Sequence, residues 1–191
     1  MKKLLLILIT FLLLLIGVYY YHSSPVGKDF RLHATDNRIV TLQDLHEKPS
    51  IVFFGYTHCP DFCPATFLEL SFWLEELGEQ TKDLNIWFFT VDPERDSLPI
   101  LKDYIENFSS QIVGITDEPK KQFKALKNLG ANWKKVFYDT KNPNDYTLNH
   151  TAGFMLLKKG GALHSWIAFG EDPILSMNKI KDLLSYKDAT N

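Results

Sequence analysis

The sequence predicts an α/β domain built on a central mixed sheet with helices on both faces. Three observations carry this. Short apolar runs such as Ile51-Val52-Phe53-Phe54 and Ile86 to Val91 read as buried strands. Segments with apolar residues at helical spacing separate them. A strand–turn–strand pattern, Phe154 to Phe169, follows the alternating part and closes the sheet as a hairpin. The chain has 191 residues, enough for one domain and an appendage.

The elements follow in order. Lys2 and Lys3 precede Leu4 to Tyr21, a charge-free run near the lower limit of about 17–25 residues for a membrane span. Tyr19, Tyr20 and Tyr21 end it where an interfacial aromatic belt would lie, and the lysines favour a cytoplasmic N-terminus. Residues 1–21 are therefore expected to be a membrane anchor. Cleavage as a secretory signal is the alternative, but the bulky Val18 to His22 makes a poor cleavage site. Residues 22–28 are expected to be a tether, and 29–188 the folded domain. Phe30, Leu32 and Ala34 alternate, and Thr35-Asp36-Asn37 turns the chain toward Ile39 and Val40. Thr41 to Asp44 reads as a capped helical turn. Phe67, Leu70, Trp73, Leu74 and Leu77 define a helix stopped by Gly78, with Phe67, Phe72 and Trp73 assigned to packing. Leu98 to Phe108 is the next helix and Ile112 to Ile115 a short strand. Asp117 is placed to cap a helix that ends at Gly130. Val136 to Asp139 begins a strand, Lys141 to Asp145 is a polar loop, and Tyr146 to His150 leads into Phe154 to Leu157. Asp172-Pro173 opens a last amphipathic helix.

Composition excludes some classes. The net charge is −2, with no block of like charge. Lys120-Lys121 and Lys134-Lys135 are scattered, so no nucleic-acid partner is expected. The chain has two cysteines, too few for a disulfide scaffold.

Those cysteines are Cys59 and Cys63, between a strand and a helix N-terminus. That placement is the thioredoxin arrangement, so the fold expected is thioredoxin-like. A helix N-terminus favours thiolate over thiol. Residues four apart on a helix hold their Cβ atoms about 5–6 Å apart, whereas a disulfide wants about 3.5–4.5 Å. Oxidation therefore requires a bend at Pro60-Asp61, and one metal ion needs less closure. Two thiolates select Cu(I), with zinc a competitor. A third ligand is expected, most often His. Of the candidates, His22, His33, His46, His58 and His164 have adequate surface explanations, and His58 should point away from Cys59. His150 lies before the closing hairpin, where a thioredoxin-like fold brings the chain against the dithiol.

Phe53 to Pro64, Val91-Asp92-Pro93-Glu94-Arg95-Asp96 and Asn149-His150-Thr151 together resemble the Sco/SenC family. The resemblance implies a membrane-tethered, thioredoxin-like, copper-binding domain that helps assemble the binuclear copper centre of cytochrome c oxidase. It implies Cys59, Cys63 and His150 as metal ligands, and Asp92 as a carboxylate near the metal, behind those ligands. It implies cytochrome c oxidase subunit II, or another copper or thiol protein, as partner. One departure is Asn149, where the family usually has an acidic residue. Arg95 and Asp96 have a plainer reading as a surface ion pair. The absence of an Arg-rich transit peptide favours the bacterial inner membrane, with the domain facing the periplasm. The same dithiol also suits a thiol–disulfide oxidoreductase, with Cys59 as attacking thiolate and catalytic pair Cys59 and Cys63. A peroxidase is a weaker alternative, because Arg31, Arg38 and Arg95 are not placed by sequence.

Overall fold

The computed structural model describes residues 2–23, 25–139 and 142–186. Ser24 of the expected tether, Lys141 of the polar loop and the domain end at 187–188 lie outside the described residues, as do the side chains of Lys2, Leu4, Leu5 and 18–23, including His22.

Helix α1 spans Lys2–Ser23. Its described apolar side chains, from Leu6 to Ile16, are exposed. Among the described residues, no helix is long and apolar enough to cross a membrane. The segment after it lies on the domain: Pro25 bridges to Ala162, and the Val26 N–H donates to the Gly161 carbonyl at 2.8 Å.

Strands β1 (Arg31–Ala34) and β2 (Ile39–Thr41) form a hairpin. Asn37 takes the positive φ that its turn needs, at 66°. Helix α2 (Leu42–Glu47) starts where the Thr41 N–H and hydroxyl both donate to Asp44. Strand β3 (Ser50–Gly55) is buried along its whole length, because it is central and covered on both faces. Helix α3 (Phe62–Leu77) ends at Gly78, whose φ is 52°. Then follow β4 (Asn85–Thr90), α4 (Leu98–Glu106), β5 (Ile112–Thr116) and α5 (Pro119–Asn128). Strands β6 (Trp133–Phe137), β7 (Tyr146–His150), β8 (Phe154–Leu157) and β9 (Leu163–Ile167) precede α6 (Pro173–Ser185). The Asp172 carboxylate caps α6 by accepting from Ile174 and Leu175.

The main sheet runs β2-β1-β5-β4-β3-β8-β9. β3 is parallel to β4 and β4 to β5, while β8 is antiparallel to β3. The sheet is therefore mixed, as the alternation and hairpin predict. Phe53 of β3 and Phe88 of β4 stack at 5.6 Å, and Phe67 of α3 meets both edge-on at 5.1 and 4.8 Å. Burying one such ring contributes about 1.5–3 kcal/mol.

Several local expectations change. β6 begins at Trp133, earlier than Val136, and pairs with β7 in a separate two-stranded sheet. Asp117 does not cap α5, whose N-cap is Glu118. Asp117 Oδ1 accepts from the Glu118 N–H at 2.8 Å and from Lys121, while Oδ2 meets the His33 N–H and ring, tying the start of α5 to β1. Phe72, assigned to packing, is 62% exposed, whereas Phe67 and Trp73 are buried. Phe72 lies off the stripe formed by Phe67, Leu70, Leu74 and Leu77, so the helix turns it to solvent.

Candidate metal centre

Cys59 lies in a tight turn after β3, its N–H donating to the Tyr56 carbonyl at 3.3 Å. Helix α3 begins at Phe62, so Cys63 falls in its first turn. The Cys63 N–H is one of the unpaired donors of a helix start, and it points at the Cys59 sulfur, 3.4 Å away. Gly55 permits this approach. A Cβ there would stand 2.8 Å from the Cys63 Sγ.

His150 ends β7, opposite Trp133 in the β6–β7 ladder. Its Nδ1 lies 2.9 Å from the Thr151 carbonyl. A carbonyl only accepts, so Nδ1 carries a proton and Nε2 is the nitrogen turned toward the sulfurs. That Nε2 lies 3.8 Å from the Cys63 Sγ. The ring packs edge-on to Tyr56 and Phe53, with centroids 5.7 and 6.5 Å apart.

The strand bearing His150 is tied to the body at several points. The Tyr146 hydroxyl donates to Asp92 Oδ1 at 2.7 Å. The Leu148 N–H donates to the Tyr56 hydroxyl at 3.2 Å, and that hydroxyl lies 2.7 Å from Thr147 Oγ1. Asp92 is buried and also pairs with Arg95. Arg95 in turn donates to the Tyr146 carbonyl at 3.1 Å and lies over its ring.

The three donor atoms of Cys59, Cys63 and His150 lie within 4.8 Å of one another. An ion in the plane of two sulfurs at about 2.3 Å and one nitrogen at about 2.0 Å separates S from S by about 4.0 Å and S from N by about 3.7 Å. The observed 3.8 Å between Cys63 Sγ and His150 Nε2 matches the latter. Two soft sulfurs and an imidazole suit Cu(I), and the imidazole extends the set to Cu(II).

Both cysteines are free thiols and both are buried. They are not equivalent. The S–H of Cys63 donated to Cys59 is the main cause that holds the Cys59 thiol down to about 3; burial opposes it, and the His150 ring and the Cys63 N–H add to it. The same bond, with burial and the neighbouring negative charge, drives Cys63 far up. One proton is thus shared in the pair, and Cys59 is the thiolate.

The other candidates sit elsewhere. His58 turns to Thr57 Oγ1 at 3.0 Å, is exposed, and is not among the clustered donors. His33 pairs with Asp117, His46 lies 3.1 Å from the Val26 carbonyl, and His164 pairs with Asp182. Asp92 is not among the clustered donors and reaches His150 only through Tyr146 and β7. Arg95 and Asp96 are not a surface pair. Arg95 bonds Asp92, and Asp96 is fully buried. Tyr56, readable from sequence either as lining the site or as filling the core edge, packs against the His150 ring, whereas the roles of Tyr146 and Thr57 are not legible in the sequence. The polar Thr90 at the end of the apolar β4, and Thr57 just past the end of β3, are the available signal. A cavity of about 630 Å³ between α3 and α6, lined by Trp73, Phe169 and Met177, contains none of the three donors.

Fold and site together define a class: a thioredoxin-like domain whose dithiol is joined by a histidine from a separate hairpin to form a three-donor cluster. The sequence profile of the SCO1/SenC family matches residues 20–185. The chain belongs to that family. It is 29% identical to mitochondrial SCO2 of Saccharomyces cerevisiae over 84% of this chain and 53% of that protein. It is 32% identical to SenC of Rhodobacter capsulatus over 64% of this chain and 53% of that protein. The chain thus spans about half the length of these relatives. The copper-bound structure of Bradyrhizobium japonicum ScoI is similar over 85% of this chain and 99% of that one, with 34% identity and a TM-score of 0.74. Copper-bound yeast Sco1 is similar over 87% and 92%, with 29% identity and a TM-score of 0.76.

Proposed function

We propose that the protein is a membrane-tethered copper carrier that serves assembly of the binuclear copper centre of cytochrome c oxidase. The observation that carries this is the convergence of Cys59, Cys63 and His150. The thiolate of Cys59 is already in the form that binds metal, and His150 Nε2 faces the pair. Cys63 must release its proton as the ion is taken up. The nearly buried pair exposes mainly Cys59, at 6%, which is where a partner's thiolate would begin ligand exchange. Copper is cargo here, received and passed on. Oxidation of the pair would remove both sulfur donors, so redox state would gate loading.

The apolar run Leu4 to Tyr21 behind Lys2 and Lys3 supports a tether in the bacterial inner membrane, with the domain facing the periplasm. Subunit II of the oxidase, or another copper or thiol protein, is the partner that this reading names. The test is anaerobic reconstitution of the apo protein with Cu(I), measuring copper per chain, together with rescue of oxidase assembly in a deletion strain. One copper per chain, lost in Cys59→Ser, is expected. Undiminished binding in Cys59→Ser would defeat the assignment.

A second reading, thiol–disulfide oxidoreductase, is favoured by one observation: Cys59 is a more exposed thiolate beside a protonated, fully buried Cys63. A mixed disulfide with a partner trapped in Cys63→Ser would support it.

A further inference from the structure

Asp96 is fully buried, yet its carboxylate is surrounded by donors. Its Oδ2 accepts from the Thr57 N–H at 3.1 Å and from Thr90 Oγ1 at 2.5 Å. Its Oδ1 accepts from Thr57 Oγ1 at 2.6 Å. Thr57 stands two residues before Cys59, inside the turn closed by the Cys59 N–H on the Tyr56 carbonyl. Thr90 ends β4. At the backbone, the Asp96 N–H donates to the Asp92 carbonyl at 2.9 Å, and the Asp96 carbonyl accepts from Thr116 Oγ1, also at 2.9 Å. One residue therefore ties the Cys59 turn to the ends of β4, through its side chain, and β5, through its carbonyl.

We propose that Asp96 is the positioning residue for the Cys59 turn, holding the Cys59 sulfur over the start of α3 at a separation that suits a metal and resists disulfide closure. It touches neither metal nor sulfur. It acts through two bonds to Thr57. A buried carboxylate is retained only when its acceptors are filled, and here two of the three bonds go to the turn. A disulfide requires the sulfurs to approach to about 2.05 Å. With Thr57 held, the turn must move against both bonds to allow this. Without them, closure becomes easier and the open dithiol is less well formed for an ion. The proposal rests on the copper reading for its role, but its geometry stands on the dithiol alone.

The full chain is compared with Asp96→Asn, Thr57→Val and Thr116→Val. Thr116→Val removes a buried bond to the Asp96 backbone without touching the turn. Two readouts are taken, with thermal unfolding alongside. The first, free of copper, is the Cys59–Cys63 disulfide equilibrium against glutathione. The second is Cu(I) affinity by chelator competition. Asp96→Asn and Thr57→Val are expected to favour the disulfide by tenfold or more, about 30 mV, and to weaken Cu(I) binding at least tenfold. Thr116→Val should lower the melting temperature and move either readout less than twofold. If Asp96→Asn does not fold, Thr57→Val carries the test. An unchanged disulfide equilibrium in Thr57→Val overturns the proposal. So does an equal shift in Thr116→Val, which would mark a general effect on the fold. A parent chain that takes up no copper defeats the carrier reading alone, because the glutathione equilibrium still decides the positioning role.

Discussion

Alkylation of Cys59 in the reduced protein should be almost independent of pH between about 5.5 and 8.5. An ordinary thiol near 8.5 is about 0.1% thiolate at the lower limit and half thiolate at the upper, so its rate rises about 500-fold. Cys59, held down to about 3, is thiolate throughout, and its rate should change less than about twofold. The perturbation that tests the cause is Cys63→Ala. It deletes the S–H donor, the largest cause of the lowered value, and leaves the weaker support of the His150 ring and the backbone N–H groups at the start of α3, so a pH slope should reappear. The assay is iodoacetamide labelling under reducing conditions, quenched over time and read by mass spectrometry at each cysteine. A tenfold rise per pH unit in the parent, from about pH 6 to 8, would refute the shared-proton geometry. The same protons link to stability. Folding lowers the Cys59 value, so its contribution is present above the ordinary thiol range and is lost as pH falls toward about 3. Folding raises Cys63, so its contribution is present below that range and is lost at higher pH. The reduced fold should therefore weaken on both sides of a middle window.

Three other outcomes are expected. His150→Ala should lower Cu(II) affinity by about 10- to 100-fold or more and Cu(I) affinity less, as measured by chelator competition, because the sulfurs remain; equal Cu(II) uptake would contradict the assignment. Gly55→Ala places a Cβ 2.8 Å from the Cys63 sulfur, and should displace that sulfur and reduce copper affinity at least tenfold while circular dichroism still reports a folded chain. Phe67→Ala empties a fully buried site ringed by Phe53, Phe88, Tyr104 and Phe108, and should lower stability by about 3–5 kcal/mol in denaturant titration.

Much of the main sheet was legible because its signals are local. Ile51 to Phe54 and Ile86 to Val91 are continuous apolar runs, and parallel central strands require that. The dithiol was legible through its place between a strand and a helix. What sequence hides is long-range pairing. Nothing local says that Trp133 lies opposite His150 in a hairpin apart from the main sheet. The adjacency of Arg95 and Asp96 suggested that they pair with each other, but successive residues leave a turn in different directions. Arg95 reaches Asp92 and Tyr146, while Asp96 enters the interior to meet Thr57 and Thr90. Asp92 near the metal was a statement of proximity, and the structure converts it into a chain of contacts through Tyr146 to the strand of His150.

Copper K-edge X-ray absorption on the anaerobically loaded protein interrogates the trio of ligands with least intervening inference. A first shell of two sulfurs near 2.3 Å and one nitrogen near 2.0 Å is the predicted result. A shell with a single sulfur, or one unchanged by His150→Ala, would contradict it.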